Sequence, residues 1–94
     1  MLFTDEQRFS HSPEVVSRVL DGEAVLLELT SGKYLGLNAV ATRAWELIGA
    51  GKSLGEMRKA LLDEFDVARD VLDHDLTELL ETMRARGLIV HKAA

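Results

Sequence analysis

Hydrophobic and polar positions follow two different periods along the chain, and the change falls near residue 38. "EVVSRVL" (residues 14–20) and "EAVLLEL" (residues 23–29) are rich in β-branched and aliphatic residues and are joined by Asp21–Gly22. Asp-Gly between two such runs predicts a hairpin, because a type I′ turn needs positive φ at both central residues. In the second run Val25, Leu27 and Leu29 share one face, and Ala24, Leu26 and Glu28 share the other. "TSG" predicts another turn, with Gly32 at the positive-φ position. "KYLGL" then reads as a third strand, with Leu35 and Leu37 to one side and Tyr34 and Gly36 to the other. A three-stranded meander is the simplest connection of these runs.

From Asn38 onward the period is about 3.6 residues. Asn38 is an N-cap residue, since its side chain can accept from an early helical N–H. In "AVATRAWELI" Val40, Ala44, Leu47 and Ile48 form a stripe, with Ala41 and Trp45 beside it, and Trp45 is assigned to the core. The helix stops at "GAG", where glycine serves as a C-cap. Ser53 and Glu56 form a capping box. The helix they open shows Leu54, Met57, Leu61 and Phe65 on one face. A third helix begins between Ala68 and Val71, with Leu72, Leu76, Leu79, Leu80 and Met83 as its apolar face. Arg84 and Arg86 complement the dipole of its last turn. Gly87 caps it, and "LIV" returns as a short strand. Residues 1–13, ending at the only proline, Pro13, form an arm or a first short strand around Phe9; residues 14–94 form one domain. The expected fold is α+β, a three-stranded antiparallel sheet followed by three helices that pack on it.

Composition narrows the functional classes. A chain of 94 residues with 47% hydrophobic residues is one ordered domain with a modest core. With no cysteine there is no disulfide and no thiolate zinc site, which fits a reducing compartment. The start carries no secretory signal, and no apolar run approaches the roughly 18 residues of a membrane span, so a cytoplasmic location is expected. The net charge of −5, without any Lys/Arg run, argues against nucleic-acid binding, and with no long apolar run no membrane partner is expected.

The chain also lacks the usual marks of catalysis. "GAGKS" is not a phosphate loop, because the position that needs glycine is Glu46, inside a helix. His11, His74 and His91 have no metal-ligand spacing and read as surface residues. The acidic run of Asp63, Glu64, Asp66, Asp70, Asp73 and Asp75 puts Ala68 and His74 where a calcium loop needs glycine and glutamate. It reads instead as a solvated face with negative charge at a helix start. No nucleophile elbow is present. The expectation is a protein that is not an enzyme on its own and uses no cofactor or metal.

"GEAVLLELTSGKYLGLNAVATRAWELI", then "LLDEFDV", Asp75–Leu76 and "ARGLI", in that order and spacing, resemble the PqqD family over residues 9–90. These are recognition elements for ribosomally made, post-translationally modified peptides (RiPPs). The Gly-Lys-Tyr turn, Leu37–Asn38 and Thr42-Arg43-Ala44-Trp45 are most similar to the small stand-alone member of lasso-peptide clusters. Ala68 departs from the Ser or Asp cap common in the family, which leaves the start of the third helix open.

The resemblance implies a small winged-helix-like fold whose third strand takes a leader peptide as an added strand, with the third helix walling the groove. Physical chemistry agrees. An edge strand exposes unpaired N–H and C=O groups, strand addition draws affinity from them, and Gly36 admits a second backbone. The candidate peptide-binding residues are Lys33, Tyr34, Leu35, Gly36 and Leu37 on the strand. On the helix they are Val71, Asp75 and Leu79, an i, i+4, i+8 stripe. Leu79 reads equally well as core. The implied partners are a precursor peptide and a leader peptidase, cyclase or radical-type modifying enzyme. Three alternatives stand beside this reading: a chaperone of pyrroloquinoline quinone (PQQ) synthesis from the same family, a winged-helix DNA-binding regulator, and a structural homodimer paired through an open edge.

Overall fold

The computed structural model describes residues 3–92, so the first two residues of the expected arm and the last two of the domain lie outside the described residues. The arm carries a strand, β1 (Arg8–His11), centred on the buried Phe9. β2 (Val15–Leu20), β3 (Glu23–Glu28) and β4 (Tyr34–Gly36) form an antiparallel meander in the order β2-β3-β4. Three helices follow, α1 (Ala39–Gly49), α2 (Leu54–Glu64) and α3 (Arg69–Ala85), and then β5 (Ile89–Lys92). β5 does not join the meander. It pairs with β1, Phe9 opposite His91, so a second sheet ties the two ends of the chain together over the helices.

Local chemistry accounts for most boundaries. Asp21 and Gly22 take φ of 53° and 80°, the two left-handed residues of a type I′ turn. The Asn38 side chain accepts from the Ala41 N–H at 2.8 Å and starts α1. Ser53 and Glu56 close a reciprocal capping box at α2. Ala68 offers α3 no side-chain cap.

In β3 the core face is Ala24 and Leu26, both buried, while Val25 and Leu27 are half-buried and Leu29 is exposed. The core then runs through Trp45, Ile48, Met57, Leu61, Leu72, Leu80 and Met83. Phe65, expected on the buried face of α2, is half-buried because the helix ends there and Phe65 is its C-cap.

His11 is not the surface residue its isolation in the sequence suggests. Its ring stacks on Trp45, with centroids 3.5 Å apart and planes 4° from parallel, and its Nε2 lies 2.8 Å from the Trp45 carbonyl. This contact also explains Gly49. A Cβ there would fall 2.8 Å from the His11 ring, so Gly49 makes room for the stack. The left-handed turn after α1 belongs to Gly51, at φ +79°.

Candidate functional site

β4 lies at one edge of the meander, and its backbone has two sides with different partners. Leu37 N–H donates to the Ala24 carbonyl at 2.8 Å and Glu28 N–H to the Lys33 carbonyl at 2.9 Å. Opposed residues in an antiparallel pair alternate between hydrogen-bonded and non-bonded. Lys33, Leu35 and Leu37 therefore turn their polar backbone groups toward β3. Tyr34 and Gly36, opposite Leu27 and Val25, turn theirs outward. The open edge is thus the N–H and C=O of two residues.

Beside that edge runs a groove of about 380 Å³. Leu35, Gly36 and Leu37 form one wall, and α3 supplies the other through Leu72, Asp75, Leu76 and Leu79. Val40, Ala41 and Ala44 from the first turns of α1 form the floor. Ala41 and Ala44 present only methyl groups to the groove. Of the lining residues only Asp75 and Glu78 are ionisable. Glu78 lies 3.2 Å from His74 on its own helix, and Asp75 has no ion-pair partner among the described residues. A second hollow of about 420 Å³ adjoins the same edge and is lined by residues of β2, β3 and β4, among them Leu20, Ala24, Val25, Gly36 and Leu37.

Ionic and hydroxyl contacts fix the walls. Arg86, the C-cap residue of α3, pairs with Glu28 at the end of β3. Arg58 on α2 bonds Asp5 at 2.9 Å and Asp73 of α3 at 2.5 Å. Burial of the Arg58 guanidinium opposes its charge, but the two carboxylates outweigh that and raise its pKa. The Thr42 hydroxyl, buried at the start of α1, accepts from Ala24 N–H at 2.8 Å and reaches the Leu37 carbonyl at 3.3 Å. It stands between the donor and acceptor of what would be the next rung of the β3–β4 ladder.

The sequence-derived residues divide accordingly. Leu35, Gly36, Leu37, Asp75 and Leu79 meet around one groove. Lys33 is exposed at the turn, and Tyr34, 69% exposed, projects from the outer face of the sheet. Val71, 52% exposed, stands outside the groove lining. It begins the i, i+4, i+8 stripe, but 3.6 residues per turn carries that stripe around the helix, and its first member leaves the wall.

Sequence reasoning missed the α1 floor, Asn38, Glu78 and Thr82. The last two follow Asp75 by three and seven residues on the same helical face, so the spacing held the signal. The floor gave none, because Val40, Ala41 and the buried Ala44 all read as core.

Fold and site together define a small α+β, winged-helix-like domain with an open sheet edge beside a helix-walled apolar groove. The sequence profile of coenzyme PQQ synthesis protein D (PqqD) matches residues 23–89, and the chain belongs to the PqqD family. Among solved structures, TbiB1 in complex with the TbiA(beta) leader peptide is 36% identical, with a TM-score of 0.80 over 90% of this chain and 99% of that one. Lasso peptide synthetase B1 complexed with the leader peptide is 26% identical, with a TM-score of 0.78 over 88% of this chain and 98% of that one. No curated protein sequence matches the chain significantly. No helix among the described residues is long and apolar enough to cross a membrane.

Proposed function

We propose that this protein is a non-catalytic leader-peptide-binding element of lasso-peptide or related RiPP biosynthesis. It captures a precursor by strand addition to β4 and presents it to a leader peptidase, cyclase or radical-type modifying enzyme. The observation that carries this reading is the juxtaposition of the outward N–H and C=O groups of Tyr34 and Gly36 with the apolar groove under α3. Family membership and two similar structures that hold leader peptides support it.

Magnitudes assign the two parts different tasks. An antiparallel leader residue opposite Tyr34 and another opposite Gly36 make about four main-chain hydrogen bonds, together worth roughly 2–6 kcal/mol. A micromolar complex needs about 8 kcal/mol beyond all ordering costs. The edge alone falls short. Aliphatic leader side chains in the groove, at about 1.5–3 kcal/mol each, supply the difference and the selectivity. Asp75, on the groove wall, favours a leader with a basic or hydrogen-bond-donating side chain next to those aliphatic anchors.

The test is an amide NMR titration with two probes, the TbiA(beta) leader and a precursor peptide of PQQ synthesis. The Tyr34 and Gly36 amides are expected to shift most on the strand, with Asp75 and Leu79 following on α3. Saturable binding that leaves residues 33–37 unmoved refutes strand addition. The family profile, described by PQQ synthesis, supports a second reading in which the peptide is the PQQ precursor. Competition between the TbiA(beta) leader and the PQQ precursor for the same amides decides between the two readings.

A further inference from the structure

The meander has a second open edge, and it is built differently from the first. Every residue of β2 after Val15 is exposed, and Val16, Val19 and Leu20 are 48%, 51% and 55% exposed. Arg18 is the only charge in the strand, and Pro13 lies before it, so β2 carries little of the charge and proline that usually blunts an edge.

The register states which groups are free. Leu20 and Glu23 flank the two-residue turn and Leu29 N–H bonds the Glu14 carbonyl at 2.8 Å, so Leu20, Arg18, Val16 and Glu14 face β3. Val15, Ser17 and Val19 turn their backbone groups outward. The Val15 N–H is taken by the Ser12 carbonyl at 3.2 Å. The Val15 carbonyl and both groups of Ser17 and Val19 have no partner among the described residues.

We propose that β2 is a self-pairing edge, and that two copies of this chain join through antiparallel β2 strands on a two-fold axis at Ser17. That register pairs Ser17 with Ser17 of the second copy through both backbone groups, and Val19 N–H with the other copy's Val15 carbonyl. Val15 then packs on Val19 across the axis on one face, and the Ser17 hydroxyls meet beside them. On the other face Arg18 stands opposite Val16 and diagonal to Glu14 of the second copy, an opposite-charge pair made twice. Moving the two-fold axis by one residue to Arg18, a slide of two residues, sets Arg18 directly opposite Arg18, so charge complementarity selects the first arrangement. The interface is closed and isologous. It yields a six-stranded sheet with both β4 edges at its outer ends, about 24 Å apart at 4.7–4.9 Å per strand. Dimerisation leaves the proposed leader site untouched, and neither inference depends on the other.

Sedimentation equilibrium from about 5 to 500 μM, in ~0.15 M salt to screen the net charge, tests this. The average mass is expected to climb from 10.4 kDa toward twice that value. Ser17→Pro removes an outward N–H and no β2–β3 bond, and is expected to hold the protein at the monomer mass throughout. Arg18→Glu places like charges on the diagonal and is expected to weaken association at least about fivefold. The exchange E14R/R18E is expected to restore it. A mass fixed at that of the monomer at the highest concentration overturns the proposal. So does association unchanged in R18E, or R18E weakening that the exchange does not rescue.

Discussion

Replacing Gly36 by proline separates strand addition from binding by the groove alone. Gly36 sits opposite Val25 in a non-hydrogen-bonded pair, so its N–H points away from β3 and the ladder loses nothing when proline removes it. The new Cβ meets no heavy atom within 4 Å, and edge strands tolerate proline. On the leader side one N–H···O bond disappears, about 1 kcal/mol net, and the peptide carbonyl that accepted it is left facing a ring. That carbonyl sits at an open rim and regains part of its hydration. The total loss is therefore about 1–3 kcal/mol, or roughly 5–150-fold in affinity. Calorimetric titration with the leader reads the change directly, and thermal unfolding run in parallel shows whether the fold is intact. An intact G36P protein that binds leader as tightly as the parent refutes the backbone assignment, and the groove would then have to act without the edge.

Other outcomes follow from the same geometry. Leu72, which reaches both core and groove, is 2% exposed, so L72A is expected to cost about 2–5 kcal/mol in denaturant unfolding. L79A, on the half-exposed wall, is expected to spare stability and weaken leader binding. Thr42→Val strips the hydroxyl from between Ala24 N–H and the Leu37 carbonyl and is expected to cost about 1–3 kcal/mol, with Thr42→Ser restoring most of it. Hydrogen bonds from Ser53 hold the Glu56 carboxyl below its ordinary value of 4.5. A depressed folded pKa means this cap's contribution is complete above the ordinary value and is lost as pH falls through the lowered one. Acid unfolding of Glu56→Gln is expected to be less steep in that window than that of the parent.

Where side chains act on their own neighbours in sequence, the fold was legible. The Asp-Gly turn, the Asn38 cap and the Ser53–Glu56 box are all short-range chemistry, and each stands where the pattern put it. The partner of the last strand was not legible. "LIV" carries no label for which sheet it joins, and pairing β5 with β1 is a contact between chain ends. His11 shows the same limit. Nothing around it in sequence announces Trp45, and the glycine that makes the stack possible reads as a helix stop. In the candidate site the strand and the Asp75–Leu79 wall were legible as a face. Val71 stands outside the groove lining because spacing by four residues drifts around a helix, and the floor was hidden because Val40, Ala41 and Ala44 belong to the apolar stripe of α1 and read as core.

The brevity of β4 comes from that same tertiary level. Ala24 and Leu37 should close the next rung after the Leu26–Leu35 pair, and Leu37 N–H does bond the Ala24 carbonyl. The reciprocal bond runs through the Thr42 hydroxyl, which enters between donor and acceptor. This wedge turns the chain at Leu37 and lets Asn38 start a helix at once. The outward edge is left with two residues' groups, too few to hold a second strand by backbone bonds alone, as the magnitudes above require. A strand that adds there must also fill the groove, so chemistry of the side chains, not of the backbone, decides what stays. β2 has a longer outward edge, and among the described residues no helix walls a groove beside it, so what pairs with it is chosen by a matching pattern of valines and charges. One sheet thus carries a selective edge and a permissive one, and the hydroxyl of Thr42 sets the difference in length between them.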